Sequence, residues 1–240
     1  MTRTLNSWRR ARWTWAFVAF LLLIHFGSEY TTDANKTIVY MTFAASRAGM
    51  ENGFWWSMLT YGFLHGSWIH VFCNALMLRI IGAKLEDWLG GKHMSFMAIL
   101  GMLGGSGCHL ACGGNPTDML VGASGVVMAQ LLVFCSLSPQ SRMFPLPISA
   151  KNLGLGLMIS SCYLMLINPA AAVPGFSRMG ILLTEHGLGG WFRIGHACHF
   201  GGALSGFLYA RWLQRRPVTL ARLQRQRARN DLRRTDRDCR

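Results

Sequence analysis

The sequence predicts an all-α polytopic membrane protein built as a compact bundle of six transmembrane helices. Three observations lead there. Of 240 residues, 51% are hydrophobic and only 14% are charged, with a mean hydropathy of +0.26; a soluble domain carries about a quarter charged residues. Apolar segments recur along the chain, each near the ~20 residues that cross a bilayer. The net charge of +14 gathers at alternate ends of those segments instead of spreading evenly.

The first segment, near 13–30, follows Arg3, Arg9, Arg10 and Arg12. No clean small-residue cleavage site follows Phe26-Gly27-Ser28-Glu29, so it reads as a retained helix and not a signal peptide. The next loop, Tyr30 to Ser67, carries Phe43, Phe54, Trp55, Trp56, Tyr61 and Phe63. Tryptophan and tyrosine favour the membrane interface, and the loop is expected to lie partly in the outer leaflet. Segments two and three are placed near 69–89 and 93–112. Gly101, Gly104, Gly105 and Gly107 loosen the third, where small residues let helix backbones approach closely. The fourth, near 120–137, follows the polar turn from Gly113 to Asp118, with Asp118 read as its cap. The fifth, near 153–173, ends around Asn168-Pro169, and the sixth runs near 195–213.

Lys84 and Lys92 flank the two-to-three turn, Arg142 and Lys151 the four-to-five turn, and an arginine-dense tail, Arg215 to Arg240, follows the sixth segment. The positive-inside rule makes these ends cytoplasmic. Lys36, Arg47, Arg178 and Arg193 on the opposite side are diluted by Glu29, Asp33, Glu51, Asp118 and Glu185. The predicted organisation is a basic cytoplasmic N-terminus (1–12), a membrane domain (13–213) and a cytoplasmic tail (214–240). The tail reads as a topology anchor on anionic headgroups and not as a nucleic-acid arm. The chain has seven cysteines. Cys73, Cys108, Cys135, Cys162 and Cys198 sit inside apolar segments with no paired spacing, so no disulfide framework is expected.

Three polar clusters lie near the starts of segments two, four and six: His70-x-x-x-Asn74, Gly122-Ala123-Ser124-Gly125 and His199-x-x-Gly202-x-x-x-Gly206. Alternate helices enter a bundle from one side, so the clusters share a depth below one face. Polar and ionisable groups in such segments are costly and default to a functional reading. Ser124 is expected near a helix N-terminus, where unpaired N–H groups and the dipole favour developing negative charge. A second match, Gly104-Gly105-Ser106-Gly107, lies inside segment three and reads as a small-residue packing surface. Gly202 and Gly206 strip the face below His199, which would let helix six press on helix four and bring the imidazole to Ser124 as its base. His196 is a rival base that lacks the same glycine spacing. His70 and Asn74 share one helix face and could stabilise an oxyanion with the Ser124 backbone N–H. Interhelical hydrogen bonding is their bland alternative. No acid is placed to orient the histidine, so a dyad is read.

These motifs, in this order, resemble the rhomboid family of intramembrane serine proteases over roughly residues 50–210. His65 and Gly82-x-x-x-Glu86-x-x-x-Gly90 match as well. The resemblance implies a six-helix rhomboid-like bundle with an interfacial loop between helices one and two. It implies Ser124 as nucleophile and His199 as general base and acid. Asn74, His70 and the Ser124 backbone would form the oxyanion hole, with Gly122, Gly125, Gly202 and Gly206 supporting. The implied substrates are transmembrane proteins, cut in or near the bilayer after local unwinding, with no cofactor and no metal. Two positions depart. The family often has Trp-Arg in the first loop where this chain has Trp56-Ser57, and commonly a tyrosine where it has Met128. The first bears on how the loop is seated, the second on how His199 is oriented.

Two rivals remain. One is a rhomboid-like protein that binds membrane clients without cutting them, although Ser124 and His199 are both present. The other is a metal site drawn from His196, His199, Cys198, His109 and Cys112. The compact form suggests a bacterial inner membrane, with the site opening outward.

Overall fold

In a computed structural model of the chain, residues 11–112, 115–143 and 147–215 are described. Most of the expected basic N-terminus, and the arginine-rich tail from 216, lie outside them. The chain divides into a unit Met1–Ala210 and a second, Arg211–Arg240, whose described part carries the last helix on to Gln214.

Six helices fall near the predicted segments, and further ones form in the loops between them; those used below are numbered in chain order. They are α1 (Arg12–Glu29), α2 (Asp33–Phe43), α3 (Trp68–Leu89), α4 (Gly91–Cys112), α5 (Ser124–Leu137), α6 (Ala150–Leu166), α7 (Ser177–Leu183) and α8 (His196–Gln214). Among the described residues there is no strand, only the isolated bridges Ala45–Leu120 and Arg142–Ser149. By length and composition α3 and α4 can each cross a membrane, while α5 and α6 are shorter apolar helices. Helices α2 and α7 fall in loops where none was expected.

Two boundaries differ from the sequence reading. Helix α5 starts at Ser124, not near 120, because Leu120 pairs its backbone with Ala45 in both directions (2.8 and 3.1 Å) and Gly122 turns the chain at φ +113°. Helix α6 stops at Leu166, not 173, because Pro169 cannot continue it and Asn168 opens a new turn by accepting from the Ala170 N–H (3.1 Å).

Helix α5 is the bundle's centre, with every residue from Gly125 to Cys135 buried. A helix that is apolar all round belongs in an interior. Gly101 of α4 approaches it so closely that an added Cβ would come 2.7 Å from the Gly125 carbonyl oxygen. On the other side, a Cβ on Gly202 or Gly206 of α8 would overlap the carbonyl oxygens of Gly125 and Ala129. The predicted glycine face of the sixth helix therefore does meet the fourth. The Gly104-Gly105-Ser106-Gly107 segment packs as expected: Gly104 lies against Gly201 and Ser205 of α8, and Gly105 against Cys198. Ser106 is fully buried and donates to the carbonyls of Met58 (3.1 Å) and Met102 (2.9 Å).

The Gly82–Glu86–Gly90 motif fastens α3 to α1. A helix start leaves N–H groups without intrahelical acceptors, and α1 has no side-chain cap of its own. Glu86 supplies one from a neighbouring helix, accepting from Trp13 N (2.9 Å), Thr14 N (2.9 Å) and Thr14 Oγ1 (2.8 Å). A Cβ on Gly82 would press on Gln130 and Thr14 at 3.0 and 3.3 Å, and Gly90 ends the helix at φ +86°. A π-helical turn, Leu78–Gly82, leads into the motif and places the Arg79 guanidinium 4.2 Å from the Trp15 ring centre.

Candidate active site

A cavity of about 700 Å³ is walled by His70 and Asn74 of α3, Ser124 of α5, and His196 and His199 of α8. The structure thus brings the predicted catalytic and oxyanion residues to one place. Helix α5 has 14 residues and so spans ~21 Å, shorter than a ~30 Å hydrocarbon core. A serine heading so short a helix can sit below the membrane surface, and Ser124 lines the cavity.

Gly122 is needed for two reasons. Its positive φ favours glycine, and a Cβ there would come 2.5–2.6 Å from the His70 ring and 3.6 Å from Asn74 Nδ2. His70 and Asn74 thus stand against the backbone that leads into Ser124. Asn74 is buried, and its Nδ2 has no hydrogen-bond partner in the protein. An idle buried donor costs ~1–3 kcal/mol, which suits a group kept for a charge that forms only during reaction. No side chain caps the start of α5, which leaves its first N–H groups without side-chain acceptors. Asp118, expected to cap this helix, instead accepts from Asn115 N (3.3 Å) within the preceding turn, too far back in the chain to reach the helix start.

The two histidines of α8 differ in their bonding. His196 Nε2 donates to the Trp191 carbonyl (2.9 Å), and its ring stands edge-on to His199 at 6.1 Å. That bond commits one nitrogen of the rival base. Among the described residues no hydrogen bond joins Ser124 to His199 in this geometry. Such contacts are often looser in unliganded sites than the 2.6–3.2 Å that proton transfer needs. Met128 lies one turn below Ser124 and packs with Ala203, one turn below His199, in a cluster that includes Leu132.

Where the family often has an arginine, Ser57 is fully buried with its hydroxyl 3.8 Å from Met50 Sδ. The loop is seated by other bonds: Trp56 Nε1 to the Thr42 carbonyl (3.0 Å), Thr60 Oγ1 to the Phe43 carbonyl (2.8 Å) and Tyr40 Oη to the His65 carbonyl (2.6 Å). Of the set considered for a metal, His109, Cys112, His196 and His199 all line the cavity. His109 Nε2 lies 3.3 Å from the Asp118 carbonyl, and among the described residues no three histidine, cysteine or acidic side chains converge at ligand spacing.

Two residues beside the site had no assigned role. The Tyr61 hydroxyl lies 3.0 Å from the Met102 carbonyl and 3.5 Å from Cys198 Sγ, immediately beneath Gly125. His25 of α1 is fully buried, and a histidine within an apolar segment was the signal that could have marked it.

Comparison with known proteins follows the same lines. The family model described as "Rhomboid domain" matches residues 52–216. The chain is 25% identical over 177 residues to "RHOMBOID-like protein 5" of Arabidopsis thaliana, covering 72% of this chain and 49% of that protein. It is 27% identical over 158 residues to "Rhomboid protease GlpG" of Photorhabdus laumondii, covering 65% and 47%. It is likewise 27% identical over 158 residues to "Rhomboid protease GluP" of Bacillus subtilis, covering 62% and 30%. The chain thus spans half or less of the length of these three relatives.

Proposed function

Because the chain belongs to the rhomboid family, we propose that it is an intramembrane serine endopeptidase acting on transmembrane proteins through Ser124 and His199. One observation carries this reading. Ser124 and His199 border one cavity on helices held backbone to backbone at Gly125 and Gly202, and Asn74, whose amide is unpartnered, lines the same cavity. Relatives named as rhomboid proteases support it.

In the proposed mechanism His199 takes the Ser124 hydroxyl proton as Oγ attacks the substrate carbonyl. Negative charge moves to the carbonyl oxygen, where Asn74 Nδ2–H, His70 and the Ser124 N–H receive it. His199 then gives its proton to the departing amine, which breaks the peptide C–N bond and leaves an acyl-Ser124. Water, deprotonated by the same imidazole, cleaves the ester and restores Ser124. No metal or cofactor takes part. The substrate strand must be unwound first, since a helical peptide bond is shielded by its own hydrogen bonding. The protein would sit in a bacterial inner membrane with both termini cytoplasmic.

Cleavage of a model transmembrane substrate in liposomes tests the reading. The parent should cut, and Ser124→Ala and His199→Ala should fall to background while remaining folded. A folded parent that binds such substrates without cutting them would point to the silent, client-binding alternative.

A further inference from the structure

Sulfur gathers at one wall of the cavity. Cys108 and Cys112 stand one turn apart on α4, and Met165 meets them from α6. Cys108 Sγ lies 3.6 Å from Met165 Sδ, and the Cys112 side chain is a second hydrogen-bond partner of the Cys108 thiol. Cys112 and Met165 both line the cavity. Cys162, one turn ahead of Met165 on α6, also acts electrostatically on Cys108. Helix α8 packs directly on Cys108, since a Cβ on Gly201 would come 2.6 Å from Cys108 Cβ.

One thiol beside one thioether is ordinary packing between apolar helices. Here the number of sulfurs, their spacing and their access go further. Sulfurs bound ~2.3 Å from a common ion stand ~3.8–4.0 Å apart in tetrahedral or trigonal geometry. The Cys108–Met165 pair at 3.6 Å needs to open by only a few tenths of an ångström. The donor set then selects the metal. Thiolate and thioether sulfur suit a soft ion such as copper(I). Zinc takes four donors from cysteine, histidine and carboxylate side chains, and among the described residues no three of those converge.

We propose that Cys108, Cys112 and Met165 form a three-sulfur site for copper(I), reached from the cavity. The ion enters and stays as Cu(I), and each thiol releases its proton to solvent as its sulfur binds. Once bound, the ion ties the C-terminal end of α4 to α6. Binding does not rest on the protease reading, because neither Ser124 nor His199 supplies a ligand.

The test loads the reduced full chain, in lipid nanodiscs and without oxygen, with Cu(I) in competition with bicinchoninate. The parent should bind one equivalent, and X-ray absorption should show three sulfurs at ~2.3 Å. Changes outside the ligand set already cost ~10–100-fold in metal affinity, so Cys108→Ser and Cys112→Ser should each lose at least ~10²-fold. Met165→Leu conserves volume; it should weaken binding and reduce the sulfur count to two. Cys73→Ser, which removes an exposed thiol from the same cavity, should bind as the parent does. Parental affinity in Cys112→Ser would overturn the proposal, as would loss of the ion in Cys73→Ser. A shell of nitrogen or oxygen, an unchanged sulfur count in Met165→Leu, or no binding by the folded, reduced parent would do the same. Should Cys108→Ser fail to fold against α8, the parent spectrum and Met165→Leu still decide the matter.

Discussion

Gly202 of α8 stands so close to Gly125 of α5 that any Cβ on it would overlap the Gly125 carbonyl oxygen. The residue after the proposed nucleophile and the one three beyond the proposed base are thus in backbone contact. That contact sets how closely the helices carrying Ser124 and His199, the two residues proposed to react, approach each other.

Gly202→Ala should therefore damage both stability and chemistry. Overpacking costs ~1–3 kcal/mol, and a 1 Å displacement of reacting groups costs up to ~10²-fold in rate. Thermal unfolding and turnover measured together check this. An alanine variant matching the parent in both would remove the contact from the account.

Asn74→Ala should lower kcat by ~10²–10³-fold with substrate affinity unchanged, if the unpaired amide serves the oxyanion. Steady-state kinetics separates the two parameters. A rise in KM at constant kcat would make Asn74 a substrate-binding residue instead.

His199→Ala should abolish cleavage, whereas His196→Ala should retain a measurable fraction, since one His196 nitrogen is committed to the Trp191 carbonyl (2.9 Å). Exchanged phenotypes would reassign the base.

Glu86→Ala should act on folding alone. It strands two backbone N–H groups and a hydroxyl at the start of α1, at ~1–3 kcal/mol for each buried group left unsatisfied. A lower unfolding midpoint is expected, with turnover per folded molecule nearly unchanged. Loss of turnover at parental stability would tie α1 to the chemistry.

Helix positions were legible because long apolar segments announce themselves, and the facing of α5 and α8 was legible because Gly202 and Gly206 leave a bare stripe. Ser106 was separable from Ser124 because it lies mid-helix, and the structure spends its hydroxyl on the Met58 and Met102 carbonyls. Long-range bonding was not legible. Nothing local to Glu86 says that it caps a helix more than 70 residues away, and nothing near Ala123 says that its N–H goes to His65. Asp118 misled because acidic residues ahead of helices usually cap them, whereas here Leu120 and Gly122 insert a turn between. His25 belongs to no spacing motif, and only its place in an apolar run marks it.

The most direct measurement of the central claim is covalent labelling by a fluorophosphonate, with the modified residue located by mass spectrometry in the parent, Ser124→Ala and Ser106→Ala proteins. The account predicts a single adduct on Ser124 in the parent and in Ser106→Ala, and none in Ser124→Ala. Equal labelling of the Ser124→Ala protein, or an unlabelled but folded parent, would contradict it.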